Sequence, residues 1–177
     1  MGAVTVGIHE GGCLCGATRY RTEGEPLRVT ICHCRFCQRA TGAAFMVEPI
    51  FRLENVSVTR GAPSIYTHIS TGSGKRLYIH SCSTCATKLY VTFERFPDTC
   101  GIYSGTFDDP TWFPIEPGSA RHIFIDEARP ETHLPAGFPM FHQHAVANDG
   151  TQRDPFFFDT QRAVGWQQAP RRPSQQS

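Results

Sequence analysis

The chain has 177 residues, of which 40% are hydrophobic and 19% are charged, and its formal net charge at pH 7 is +1. This composition predicts a soluble globular domain with a modest core rather than a disordered chain. The balanced charge argues against a nucleic-acid-binding protein with a basic face. The sequence contains no run of about 20 apolar residues, so no membrane helix is predicted.

Short runs rich in β-branched and aromatic residues predict a mainly antiparallel β domain. The first predicted strand covers residues 17–22 and begins directly after Cys15 and Gly16. Turn sequences such as Gly61-Ala62-Pro63 separate the later runs. The remaining predicted strands are 45–48 with 50–53, 56–59, 65–69, 76–80, 88–93, 100–107 and 121–125.

One short helix is predicted, from Arg35 to Ala40. Good helix formers fill this stretch and Gly42 supplies a stop. Cys34 and Cys37 are three positions apart, so a first helical turn places them on one face. Positions two apart share a face of a strand, which suits Cys13 and Cys15.

The sequence divides into four predicted segments. Residues 1–10 form an N-terminal arm, and 11–126 form the β domain. Residues 127–166 form an extension that packs on the domain, with the apolar anchors Phe156-Phe157-Phe158 and Trp166. The Pro-, Gln- and Arg-containing residues 167–177 are expected to be disordered.

Seven of the eight cysteines lie in three tight clusters. No signal peptide precedes them, so we expect the cytoplasm, where thiols stay free or bind metal instead of forming disulfides. Paired thiolates two or three positions apart bind Zn²⁺ at about 2.3 Å. The clusters are Cys13 with Cys15, Cys32 with Cys34 and Cys37, and Cys82 with Cys85.

The seven cysteines divide into a group of four and a group of three. Two clusters offer only a pair each, so Cys13, Cys15, Cys82 and Cys85 are predicted to hold a structural zinc. Such a site supplies on the order of 10 kcal/mol of apparent binding energy, which favours its role in folding.

Cys32, Cys34 and Cys37 remain as a second zinc site, predicted to be catalytic. Three protein ligands leave a fourth position for water or substrate, which is typical of a catalytic zinc. Cys100 is the rival fourth ligand, although an isolated cysteine in a strand-like stretch is more often a small buried hydrophobe.

Three thiolates on one Zn²⁺ carry a net charge of −1, so they acidify a bound water poorly. The site is better suited to a thiol that is kept deprotonated for addition to a carbonyl. Arg35 and Arg39 are predicted to receive the anionic groups of such a substrate. His33 is predicted to point away from the metal, because its neighbours point towards it.

Four motifs together resemble the glutathione-dependent formaldehyde-activating (GFA) family, which includes centromere protein V-like proteins. They are Gly12-Cys-Leu-Cys-Gly16, Cys32-His-Cys-Arg-Phe-Cys37 with Thr41-Gly42, Cys82-Ser-Thr-Cys85, and Gly105-Thr-Phe-Asp-Asp-Pro110. The resemblance implies a zinc-dependent Mss4-like β fold, a structural four-cysteine site and a catalytic site at Cys32, Cys34 and Cys37. Ala86 departs from the family pattern, which usually has glycine there, and a left-handed backbone at alanine is strained.

The leading hypothesis is a carbon–sulfur lyase, as the resemblance implies, that condenses formaldehyde with glutathione into S-hydroxymethylglutathione. The expected partners are a small thiol and an aldehyde. The alternative is a non-catalytic zinc module for a protein or small-molecule partner. An open coordination position at the three-cysteine site distinguishes the two.

Overall fold

The computed structural model describes residues 7–165, which are predominantly β and contain one α-helix, α1. The prediction of a mainly antiparallel β fold with one short helix is confirmed. Among the described residues, no helix has the length and apolar character needed to span a bilayer. The elements are β1 (Ile8–Gly12), β2 (Arg19–Glu23), β3 (Arg28–Cys32), α1 (Arg35–Thr41), β4 (Met46–Arg52), β5 (Val56–Arg60), β6 (Pro63–Ile69), β7 (Arg76–Cys82), β8 (Lys88–Phe93), β9 (Thr99–Ile102), β10 (Ala120–Ile123), β11 (His133–Leu134) and β12 (Arg162–Ala163).

Contacts in space divide the chain into two compact units. The first takes residues up to Val29 and Val47–Ile115, and the second takes Thr30–Met46 and residues from Glu116 onward. The linear division of the sequence at residues 10, 126 and 166 stays a prediction. Trp166 and residues 167–177 lie outside the described residues.

The first sheet of unit 1 is built on the β1–β2 hairpin, with β5 paired to β2. Ile8 pairs with Glu23 and Gly12 with Arg19, so residues 13–18 form the connecting loop. The strand predicted over 17–22 therefore begins two residues later in the structure, at Arg19. The expectation that Cys13 and Cys15 share a face of a strand is wrong, because both lie in this loop.

The larger set of strands in unit 1 is an antiparallel array in the order β4-β9-β8-β7-β6. The tight turn between β7 and β8 carries Cys85, directly after Cys82 ends β7. The predicted strand over 100–107 is too long, since β9 ends at Ile102 and a 3-10 turn covers Ser104–Thr106. The largest fully buried apolar side chains of this unit are Tyr20, Val29, Phe51, Leu89, Val91 and Ile102.

Unit 2 contains α1, the β10 strand beside the end of β3, and the two-residue strands β11 and β12. Its apolar cluster is formed by Ala128, Leu134, Met140 and Val164. Phe156 and Phe158 pack against this cluster, whereas Phe157 is 55% exposed. In this extended segment, alternate side chains face opposite sides, so only two of the three predicted phenylalanine anchors are used.

Gly101 in β9 allows the buried Glu48 side chain to pass directly over the backbone. A Cβ at position 101 would overlap the carboxyl end of Glu48, which is 7% exposed. Overpacking of this kind costs about 1–3 kcal/mol. We expect Gly101→Ala to lower the free energy of unfolding by that amount, measured by urea denaturation.

Gly105→Ala is the matched control for this prediction. A Cβ at Gly105 meets nothing within 4 Å, so this variant should change stability by less than about 0.5 kcal/mol. Equal stability of the two variants would contradict the overlap.

Candidate metal centres

The four-cysteine cluster joins two loops of unit 1. Cys13 and Cys15 come from the β1–β2 loop, and Cys82 and Cys85 come from the β7–β8 turn. All four Sγ atoms lie within 4.8 Å of one another. The Sγ of Cys15 is 3.5 Å from that of Cys13 and 3.8 Å from that of Cys82.

These distances fit a zinc ion. Four sulfurs at about 2.3 Å from one Zn²⁺ in a tetrahedron lie about 3.8 Å apart, which matches the observed separations. Four thiolates are also the soft donor set that zinc prefers in structural sites. The cluster could therefore hold Zn²⁺ with little rearrangement.

Backbone and hydroxyl donors surround the sulfurs. The Thr18 amide donates to Cys13 Sγ at 3.2 Å, and the Thr84 amide donates to Cys82 Sγ at 3.4 Å. The hydrogen bond from the Thr18 hydroxyl lowers the pKa of Cys82 to about 5. The hydrogen bond from the Thr87 hydroxyl lowers the pKa of Cys85 to about 7. The loops thus stabilise negative charge on Cys82 and Cys85, as a metal ligand requires. Cys15 differs, because despite the Ala17 amide the neighbouring Cys85 and Cys13 thiols raise its pKa to about 12.

The two cysteine loops turn in the same way but use different residues. Gly16 follows Cys15 with φ +73°, and Ala86 follows Cys85 with φ +58°. Each amide bonds back to the first cysteine of its pair, Gly16 to the Cys13 carbonyl at 3.0 Å and Ala86 to the Cys82 carbonyl at 2.9 Å. The chain therefore keeps the left-handed turn at Ala86 and carries its strain.

This pair of residues gives a reciprocal test. Ala86→Gly should raise the free energy of unfolding by about 1 kcal/mol, because a left-handed alanine costs roughly that much. Gly16→Ala should lower it by a similar amount, since no atom lies within 4 Å of the added Cβ and only backbone strain is introduced. Chemical denaturation of both variants at fixed zinc measures the effect, and shifts of the same sign would contradict it.

The three-cysteine cluster lies in unit 2 at the start of α1. Cys32 ends β3, Cys34 is the N-cap of α1, and Cys37 lies in its first turn. Cys34 has an extended backbone, and its Sγ accepts the Cys37 amide at 3.4 Å. The three Sγ atoms lie within 4.8 Å of one another, with Cys32 and Cys34 3.4 Å apart. The predicted helix over 35–40 thus places Cys34 and Cys37 together as expected.

One of the three sulfurs is strongly acidic. Hydrogen bonds from Cys32 and then from Cys37 lower the pKa of Cys34 to about 3. The hydrogen bond to Cys34 raises the pKa of Cys32, and hydrogen bonds with Cys32 and then with Cys34 raise the pKa of Cys37. Cys34 is also the most exposed member, since Cys32 is 4% and Cys37 is 5% exposed. Three soft donors at this spacing fit Zn²⁺ with three protein ligands.

Cys100 does not belong to this cluster among the described residues. It lies in β9, is fully buried, and has its pKa raised to about 12 by burial and then by Glu48. It is therefore a buried, protonated thiol in the interior of the sheet.

His33 turns away from the neighbouring sulfurs, as predicted, and meets a partner that the sequence does not reveal. Its Nε2 lies 3.1 Å from Nδ1 of His122 in β10, and its amide donates to the Ile123 carbonyl at 3.0 Å. Burial lowers the pKa of both histidines to about 4. The pair is thus neutral at pH 7, and its contact stabilises the backbone between Cys32 and Cys34. The Phe45 ring lies 5.3 Å from the His33 ring.

Glu127 fixes the beginning of α1. Its Oε2 accepts the Arg35 amide at 2.7 Å, and its carbonyl accepts Nε2 of Gln38 at 2.8 Å. Burial raises the pKa of this carboxyl. The Arg35 guanidinium donates to Gln38, and both Arg35 and Arg39 are exposed on α1. Their role as anion-binding residues stays a prediction.

These observations define a β domain with two cysteine clusters of zinc-binding geometry. The profile of the glutathione-dependent formaldehyde-activating enzyme family matches residues 8–127, which include all seven clustered cysteines. The chain belongs to this family.

The chain is also similar to individual proteins. A Halomonas elongata protein named "Putative glutathione-dependent formaldehyde-activating enzyme" is 27% identical over 141 residues, which cover 73% of this chain and 88% of that protein. A Fusarium vanettenii protein of the same name is 30% identical over 89 residues, 45% of this chain and 46% of that protein. A crystal structure of a Rhodobacter sphaeroides protein aligns with a TM-score of 0.45 and 22% identity, over 62% of this chain and 92% of that one.

Proposed function

We propose that this protein is a carbon–sulfur lyase that adds glutathione, or a similar thiol, to formaldehyde and releases an S-hydroxymethyl thiol. The observation that carries the proposal is the three-cysteine cluster at the start of α1, with its sulfurs within 4.8 Å of one another. Family membership supports the substrates, because the family is described as activating formaldehyde with glutathione.

The reaction forms one S–C bond. The thiol sulfur attacks the formaldehyde carbon, the C=O π electrons move onto oxygen, and the thiol proton ends on that oxygen. Zn²⁺ held by Cys32, Cys34 and Cys37 would supply a fourth coordination position that lowers the pKa of the incoming thiol. No redox partner is needed, since the step is an addition.

The surrounding residues keep the three sulfurs in place. Glu127 holds the first amide of α1, and the neutral His33–His122 pair holds the backbone between Cys32 and Cys34. Because these contacts are made by buried or half-buried groups, the three sulfurs are preorganised. Metal binding would therefore cost little free energy for ordering the site.

In this proposal the four-cysteine cluster holds a second zinc with a structural role. It joins the β1–β2 loop to the β7–β8 turn through Cys13, Cys15, Cys82 and Cys85. All eight cysteines are free thiols, which fits a reducing compartment, and we place the protein in the cytoplasm.

The division into two zinc sites predicts a specific stoichiometry. The purified chain should bind two zinc ions, and Cys37→Ser should bind one and keep its fold. Cys82→Ser should lose the folded state, because the structural site supplies on the order of 10 kcal/mol. Elemental analysis and circular dichroism measure both properties.

Cys100→Ala is the control, since Cys100 lies outside both clusters, and it should retain two zinc ions. A folded Cys82→Ser variant with wild-type stability would show that this cluster is not structural.

The activity is tested by following formaldehyde and glutathione by NMR exchange spectroscopy, which separates enzymatic from spontaneous addition. The protein should accelerate the exchange in proportion to its concentration. Cys34→Ser should reduce the acceleration by about 100-fold or more, since a metal site contributes several kcal/mol. Cys100→Ala should remain active.

An exchange rate that is independent of protein concentration in a two-zinc sample would reject the lyase. The non-catalytic zinc module would then be the better description.

A further inference from the structure

An open pocket of about 430 Å³ lies in unit 2 and is lined mostly by residues beyond the family match. Its volume falls in the range of small-molecule sites. Phe45, Ala44 and Pro130 supply apolar surface, and Arg129 and Glu131 supply opposite charges. Thr132 and His133 complete the lining.

The pocket adjoins the segment that carries the three-cysteine cluster. Phe45, in its wall, packs 5.3 Å from the ring of His33, which stands between Cys32 and Cys34. Arg129 follows two residues after Glu127, whose carboxylate holds the first amide of α1. Both wall segments therefore contact or directly follow residues that hold the chain at the three-cysteine cluster.

Two charged side chains in the pocket are free to bind a ligand. Among residues 7–165, neither the Arg129 guanidinium nor the Glu131 carboxylate forms a hydrogen bond or ion pair with another side chain. An α-amino acid end carries a carboxylate and an ammonium close together, and it matches one arginine and one glutamate. The mixed charge disfavours a purely anionic ligand, because Glu131 would repel it.

The backbone that presents Glu131 is strained and firmly held. Residues 129–132 form a turn with the Thr132 amide bonded to the Arg129 carbonyl at 3.1 Å, and Glu131 has φ +67°. Glycine or asparagine is preferred at such a position. The Glu131 amide donates to the Val164 carbonyl at 2.9 Å, and the Val164 amide donates to the Thr132 carbonyl at 2.9 Å. The fixed turn therefore holds Glu131 at one position in the wall of the pocket.

We propose that this pocket binds the zwitterionic α-amino acid end of a peptide-like thiol, with Arg129 on its carboxylate and Glu131 on its ammonium group. The inference rests on the proposed function for its substrate class. In this proposal, residues after the family match select the thiol substrate, and Arg35 and Arg39 do not.

Three variants separate charge from backbone strain. Glu131→Gln removes the charge and keeps the strain, Glu131→Gly removes both, and Arg129→Gln removes the opposite charge. Arg153→Gln, at an exposed position outside the pocket, is the control. Glu131→Gly should raise Tm by about 2–4 °C, whereas Glu131→Gln should leave it unchanged.

Binding is measured with S-methylglutathione, whose blocked sulfur carries no transferable proton. Calorimetry should show that Glu131→Gln, Glu131→Gly and Arg129→Gln each weaken its binding about tenfold, as expected for the loss of one charge-assisted hydrogen bond. Arg153→Gln should bind it as the wild type does. N-acetylation of the ligand's amino group should weaken wild-type binding but not binding to Glu131→Gln.

The result separates this inference from the proposed function. Equal binding by the wild type and all variants, or no binding to any of them, would overturn the subsite even if formaldehyde addition is observed. Charge-dependent binding without formaldehyde addition would support the subsite and reject the lyase. A loss of binding in Glu131→Gln together with a lower Tm would indicate structural damage and also count against it.

Discussion

The structure depends on the crowding of sulfur atoms. Seven thiols lie in two groups, and within each group the sulfurs are closer than 4.8 Å. Such groups cannot all ionise without a cation, because like charges at this distance repel strongly. In unit 2 the conflict places the charge on Cys34 and keeps protons on its neighbours. A divalent soft metal would remove the conflict in both groups, and its binding would then be linked to folding.

The two clusters differ in what holds them. The four-cysteine group lies in two separate loops whose conformation depends on Gly16 and the strained Ala86, so a bound metal would contribute much of the stability of its geometry. The three-cysteine group is held by protein contacts, through the N-cap of α1, the histidine pair and Glu127. This contrast agrees with a structural role for the first site and a reactive role for the second.

Local patterns in the sequence predicted most of the elements. Gly42 ends α1 with φ +71°, as expected from the preference for glycine at the left-handed position after a helix. The predicted strands do not include β1 or β3. Ile8–Gly12 contains two glycines and few strand formers, so β1 has no clear signal, whereas the β-branched run Val29-Thr30-Ile31 is a signal for β3.

Long-range pairings were beyond such patterns. His33 meets His122 and Arg35 meets Glu127 across about 90 residues, and no local periodicity encodes either contact. The cysteine clusters were the exception, since few groupings of seven ligands suit zinc. The turn at Glu131 could not be predicted either, because glutamate does not normally indicate a positive φ.

The separation of the two cysteine loops along the chain has a consequence for synthesis. Cys15 and Cys82 are 67 residues apart. At about 5–20 residues per second, Cys15 leaves the ribosome about 3–13 s before Cys82. The four-cysteine group cannot be completed before Cys82 and Cys85 have emerged. Cys13 and Cys15 therefore spend those seconds without the second half of their group, and their thiols are exposed to oxidation during that time.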